Sequence, residues 1–403
     1  MTQKKQMTNP LGTDRISTLV ARFAVPSIIA TLVSAVYNIA DQLFIGNAVG
    51  TLGNAATNIA FPLSMLCASL ALLFGIGGAS SFNLRMGAGR KEEAPYYIGN
   101  SITMLLSLGF LLLLITELFL NPLLVLFGSP ADVLPLAEQY VRVTAVGFPF
   151  LILTIGSGHL IRADGNPKMA MFVTVSGAVI NIVLDALFVF GFQWGMYGAA
   201  WATVIGQIIS AAIAIRYFMH YHTVTLEKQH FIPSGKVLAQ ICSIGMSSGI
   251  NQIAVMIVQI VMNNLLKHYG AQSVYGESIP IACAGIVMKV NQLYFSIVIG
   301  LAQGSQPIES FNYGAKQYKR VKDAFLLAAS VGAVVSIISF LLFQLFPRQI
   351  LFLLPLIVAL PHFFGIMGVL YAGPIADLLS FAVGISMVIV EFKHINKLEA
   401  ELA

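Results

Sequence analysis

Two aspartates sit where an ionised carboxylate is costly. Asp41 lies in NIADQLFIG (38–46), inside an apolar run from Leu19 to Val49 with no other charge after Arg22. Asp185 lies in NIVLDALF (181–188), inside a second apolar run. A charged side chain at the centre of a membrane helix costs about 2.5–3.5 kcal/mol on insertion scales, so such residues usually have a partner or a task. Helical spacing supplies neighbours: Asn38 and Asp41 are three residues apart, Asn181 and Asp185 four, Thr203 and Gln207 four, and each pair shares a face. Tyr140 falls near the start of another apolar segment. Two carboxylates with amide and hydroxyl company point to a proton relay or an alkali-cation site. A proton carrier needs a carboxylate whose surroundings change between conformations, whereas a hard cation needs several oxygen ligands.

The elements that must position these residues follow from composition. Hydrophobic residues make up 57% of the chain and charged residues 10%, against about 25% charged in soluble domains. Apolar stretches near or beyond the ~20 residues of a membrane span recur along the whole length. The pattern predicts an all-α polytopic membrane protein, with helices at roughly 16–46, 54–84, 95–127, 135–161, 169–192, 196–221, 238–268, 276–311, 320–346, 349–363 and 366–392. The first is read as a retained membrane helix and not a cleaved leader. In such a chain the net charge of +5 signals topology rather than nucleic-acid binding. Lys and Arg cluster before helix one and after helices two, four, six and eight, with Arg162 and Lys168 assigned to the loop after the fourth. The loops between lack them, Lys267 being the main exception. This places the N-terminus in the cytoplasm.

The chain also repeats. MGAGRKEEA (86–94) has a counterpart in YGAKQYKRV (313–321), and GMYGAAWA (195–202) in GIMGVLYA (365–372), in the same order. Both halves begin inside, so the plan is two parallel-repeat lobes of six helices plus about five. The expected organisation is a cytoplasmic segment 1–15, an N-lobe 16–221, an inter-lobe loop 222–237, a C-lobe 238–393 and a tail 394–403. The interval from Gly314 to Gly365 is about half that from Gly87 to Gly195. The shortfall is roughly one helix at ~1.5 Å rise per residue, and it places a deletion near 347–352.

Other chemistry is absent from the motifs. GIGGAS (75–80) and GAGRK (87–91) fit no Walker or dinucleotide pattern. No HxxxH or CxxC spacing supports a metal site, and the three cysteines read as small packing residues. No serine sits in a nucleophile elbow, so an enzyme is not expected. Glu309 and Asp377 fall near predicted helix ends and read as solvated.

The stretches VYNIADQLFIG, GGASSFNLRMGAGRK, IRADGNPKMA, GAVINIVLDALFVFGFQWGMYGAAWAT and GLAQGSQPIESFNYGAK resemble the multidrug and toxic compound extrusion (MATE) family. That resemblance implies two lobes around a central cavity, with export of cationic amphipathic compounds in exchange for H+ or Na+. It implies a cation site of Asp41, Asn181, Asp185 and Thr203, where Na+ would bind if it is the coupling ion. Tyr140 would lie nearby, with Asn38 and Gln207 in support, and the first helix would bend at Pro26. Lys289 and Gln292 on the eighth helix are candidates to line the cavity, although Lys289 could instead snorkel to the interface. No cofactor is expected. The expected partners are small cationic molecules and the lipid bilayer of a prokaryotic plasma membrane, with the protein a monomer and no nucleic acid bound. An internally truncated, transport-inactive member of the family is one alternative. A flippase for a lipid-linked precursor is another, with few basic residues to hold a diphosphate.

Overall fold

A computed structural model describes residues 9–272, 278–345, 392–398 and 400. The described elements are helices: α1 (Ile16–Ala48), α2 (Thr51–Gly87), α3 (Ala94–Leu118), α4 (Leu134–Val146), α5 (Phe148–Ala163), α6 (Pro167–Asp185), α7 (Gly195–Phe218), α8 (Gly235–Ala271), α9 (Ser278–Gly314) and α10 (Tyr318–Leu345). Among the described residues, seven helices are long and apolar enough to cross a membrane, or eight if α4 and α5 form one bent span. The chain is an all-α polytopic membrane protein. The helices expected at 349–363 and 366–392 lie outside the described residues apart from Phe392. So do Asp377, the GIMGVLYA stretch and the shortening near 347–352.

The fourth expected helix is two. α4 and α5 meet at Gly147 with a bend of 59°. Pro149 in the first turn of α5 has no N–H to continue the α4 ladder. Residues 220–236, read as a polar loop dividing the lobes, lie along α3 rather than hanging free. Asn100 donates to the carbonyls of His230 at 2.9 Å and Ile232 at 3.2 Å and accepts from the Ser234 N–H at 2.8 Å. Asp164 clamps the same region, accepting from the Tyr217 hydroxyl at 2.7 Å and from the Thr223 N–H and hydroxyl at 2.9 and 2.6 Å. Burial, with the Asp164 carboxylate adding to it, pushes the Tyr221 hydroxyl well above the ordinary tyrosine range. It therefore stays protonated and donates to Leu160 O at 2.8 Å, tying down the end of α5.

The core is packed between α2, α3 and α5, where Phe82, Ile98, Leu105, Ile152, Leu153 and Leu160 are wholly enclosed. α1 and α9 join through a smaller cluster of Leu19, Phe23, Leu301 and Ile308. There Gly300 and Gly304 form a small-xxx-small pair. A Cβ on either would come within 2.5 Å of an α1 Cα, at Ile28 or Ala24, so the two backbones touch on both sides of Pro26. α1 runs as one continuous helix through that proline.

The first repeated motif has a structural echo. Gly89 ends α2 with φ +78°, and Lys316 ends α9 with φ +59° at the matching position. Both turns close with the same pair of bonds: Gly89 N to Met86 O and Arg90 N to Arg85 O, then Lys316 N to Tyr313 O and Gln317 N to Asn312 O. Glycine takes such a left-handed cap at little cost, and lysine takes the same geometry with more strain.

Candidate cation and substrate site

α6 and α7 bring the first three residues together. Gly177 on α6 faces Gly206 on α7 so closely that a Cβ on Gly206 would lie 2.8 Å from Gly177 O. The contact is pinned by Ser210 donating to Val173 O at 2.9 Å. One turn on, this close approach sets Asn181 against Thr203. With its carbonyl oxygen toward Thr203, the Asn181 amide satisfies all its neighbours. It accepts from the Thr203 N–H at 3.1 Å and hydroxyl at 3.3 Å, and its NH2 donates to Asp185 Oδ2 at 3.2 Å. Asp185 itself has no exposed surface, and its Oδ1 is buried without a hydrogen-bond partner. It closes α6 where the chain passes into a π-helical turn, Ala186–Gly191. Such turns widen a helix and recur at functional positions.

Asp41 approaches from α1 and interacts electrostatically with Asp185, and both interact with the Tyr140 and Tyr37 hydroxyls. Tyr140, from α4, lines a small cavity together with Thr203 and Gln207. Asn38 turns its NH2 back to Ser34 O at 2.7 Å. Gln207 sits beneath the α4–α5 bend at Gly147, and its Oε1 is buried without a partner. The structure thus brings Asp41, Asn181, Asp185, Thr203 and Tyr140 together. Tyr37 joins them unforeseen by sequence reasoning, although it is four residues before Asp41 and shares its face.

Among the described residues, no three His, Cys, Asp or Glu side chains converge. The donor set is therefore two carboxylates with amide and hydroxyl oxygens. These are hard ligands, suited to a proton or an alkali cation rather than to a soft metal.

A cavity of about 270 Å³ runs from this cluster along α1, α5, α6 and α7. Asn38, Asn181 and Thr203 line one end, and His159 and Arg162 the other. Arg162 corrects the sequence reading, which placed it in a loop. α5 extends to Ala163, and the Arg162 side chain is only 4% exposed. A signal was available, since His159 and Arg162 share a face three apart. α9 contributes Gln303 to this cavity, three turns on from Gln292. The expectation for the Lys289 side chain lies outside the described residues. Glu309 is half-buried in the body of α9 rather than solvated at its end. Cys67 is buried and Cys242 half-buried, while the Cys283 side chain lies outside the described residues.

Fold and site together define a polytopic helical membrane protein with paired carboxylates enclosed beside an internal cavity. The pattern of the MatE family matches residues 26–187 and 248–360. The chain belongs to that family, the multidrug and toxic compound extrusion transporters. It is 28% identical over 314 residues to the multidrug export protein MepA of Staphylococcus aureus strain NCTC 8325 / PS 47, covering 77% of this chain and 68% of that protein. The MepA of Staphylococcus saprophyticus is 27% identical over 322 residues, with 79% and 70% covered. Among solved structures, the MATE multidrug transporter DinF-BH, determined in complex with a small molecule, superposes with a TM-score of 0.84 at 31% identity, over 95% of this chain and 98% of that one. A MATE crystal structure in the straight conformation shares the fold, with a TM-score of 0.76 at 23% identity over 86% and 76%.

Proposed function

We propose that the chain is a secondary antiporter that exports cationic amphipathic compounds in exchange for H+ or Na+ by alternating access. Asp41, Asn181, Asp185 and Thr203 form the cation site in this reading, with Tyr140, Asn38 and Gln207 shaping its wall. The observation that carries it is Asp185: a fully enclosed carboxylate with one oxygen uncompensated, in the field of Asp41 and bonded to Asn181, which lines the cavity. Leaving that oxygen uncompensated is costly. A proton or Na+ removes the cost, and so does an organic cation in the cavity. Two occupants that relieve the same charge exclude one another, and exclusion across two conformations is the minimum that exchange requires.

The close packing of α1 onto α9 on both sides of Pro26 gives that proline a role. Proline leaves Arg22 O without its usual helical donor, so α1 is weakest there. Bending at that point is the proposed response of α1 to neutralisation of Asp41. The protein works in this scheme as a monomer in a bacterial plasma membrane, with its N-terminus in the cytoplasm.

The test is efflux of a cationic dye from proteoliposomes with Na+ and pH gradients imposed separately. Acceleration by one gradient, lost in Asp41→Asn, is expected. Efflux indifferent to both gradients would remove the antiport reading.

A further inference from the structure

A second cavity, of about 340 Å³, lies where α2, α8, α9 and α10 meet residues 392–398. It shares no lining residue with the cavity beside Asp185. Its walls are largely apolar, with Leu84, Ile244 and the ring pair Phe325–Phe392, whose centroids lie 5.4 Å apart at 74°. Residues 392–398 are held in place by Ile395, which is buried against Tyr318 and Val321. On the other side α2 and α9 touch backbone to backbone, since a Cβ on Gly314 would meet Leu84 O. Asn312 and Arg320 donate to Leu11 O at the same end of the bundle. In the topology proposed above, that end faces the cytoplasm.

Gln306 stands between the two cavities. Its NH2 donates to Ser80 Oγ at 2.8 Å, and its Oε1 lies 3.1 Å from His159 Nδ1. Ser80 lines the second cavity and His159 the first. One side chain thus bridges both walls, and a ligand in the second cavity is kept from the first while these bonds hold.

The charge in this second cavity comes from Glu309, half-buried in the body of α9. Among the described residues no Lys, Arg or His lies within ion-pair distance of it. A carboxylate drawn out of water into apolar walls is costly until a cation joins it. One carboxylate with hydroxyls offers too few oxygens for a divalent metal ion, which takes six or more. An organic ammonium ion needs fewer: one anion for its charge, ring faces for its N-methyl or N-methylene groups, and apolar surface for the rest. The volume lies within the ordinary range of small-molecule sites.

We propose that Glu309, with Phe325 and Phe392, forms a second binding site for an organic ammonium ion, separate from the Asp41–Asp185 site and closed off from it by Gln306. The site stands apart from the export reading, because its test reads binding and not transport. An ethanolamine lipid head group carries the same ammonium chemistry as a soluble amine, and the test separates the two sources.

The test is equilibrium dialysis of the purified full-length protein in a nonionic detergent against radiolabelled benzyltrimethylammonium. Glu309→Gln is expected to weaken one class of sites about tenfold or more, the scale of losing one partner of a desolvated charge pair. Glu309→Asp keeps the charge and should restore part of that affinity. Phe392→Leu keeps an apolar side chain and loses the ring, so the same class should weaken about threefold, the scale of one cation–π contact. Neopentylbenzene, which replaces the nitrogen by carbon, should not compete. Binding unchanged in Glu309→Gln would overturn the proposal, and so would equal competition by the neutral analogue. A loss in Glu309→Gln that neither Glu309→Asp restores nor Phe392→Leu shares would make Glu309 a structural residue and overturn it too. The same dialysis in nanodiscs, with and without phosphatidylethanolamine, names the source of the ammonium. Displacement of the Glu309-dependent probe by that lipid supports a head-group site, and indifference to it supports a soluble amine. Failure of the export reading looks different: the class of sites that depends on Asp185 is missing, while the class that depends on Glu309 remains.

Discussion

Beyond one end of the cavity Asp185 is enclosed with a second acid beside it; at the other, Arg162 is enclosed with none among the described residues. The acid end is built by helix contacts internal to one half of the chain, α6 against α7 through Gly177 and Gly206, with α1 and α4 closing over it. The basic end is built across halves, by Gln303 and Gln306 of α9 on Arg162 and His159 of α5. A site within one packed unit can keep its geometry while the units move. Contacts across units must break when they part. The difference teaches which end is expected to hold a ligand in both conformations and which to change hands.

Substitutions can break this contrast, and the largest effect is expected from Asp185→Asn. Gradient-driven dye efflux should fall at least tenfold, because the amide carries no charge to exchange; vesicle flux measurements check this. Next, Gly206→Val should force α6 and α7 apart at a contact with no room for a side chain. Overpacking of this kind costs about 1–3 kcal/mol, read as a lower unfolding temperature in detergent together with weakened dye binding. Thr203→Ala removes one hydroxyl from the Asn181 amide and should weaken coupling-ion affinity a few-fold, on the scale of about 1 kcal/mol for a neutral hydrogen bond. Ion-dependent protection of the protein from thermal unfolding would show it. The smallest change is expected from Tyr140→Phe, which keeps the ring and loses only a hydroxyl near Thr203. A shift of about twofold or less in the same assay, within the range of one neutral hydrogen bond, is predicted.

The sequence exposed the acid end and hid the basic one for a physical reason. Polar residues inside an apolar helix are conspicuous, so Asp41, Asn181, Asp185 and Thr203 could be picked out one by one, and their helical spacing put each on a usable face. Arg162 follows an apolar run and precedes ADGNPK, where a basic residue normally marks the water side of a membrane. Only the extra residues of α5 and the Asp164 clamp draw it inside, and those are tertiary facts. The bend at Gly147 was likewise hidden inside a continuous apolar run, although Phe148-Pro149 marked where a ladder fails. Most other helix ends fell within a few residues of expectation; α3 is the exception, ending at Leu118 and not near 127, where a separate short helix, Leu120–Leu126, follows. MGAGRK and YGAKQY end α2 and α9 with the same left-handed turn and the same bonds.

The most direct test of the central claim, that coupling ion and organic cation compete for the Asp41–Asp185 charge, is dye affinity of the purified protein measured against Na+ concentration and pH. Wild type should bind dye more weakly as the coupling ion rises, and Asp185→Asn should bind dye with no dependence on that ion. An ion dependence that survives unchanged in Asp185→Asn would contradict the account.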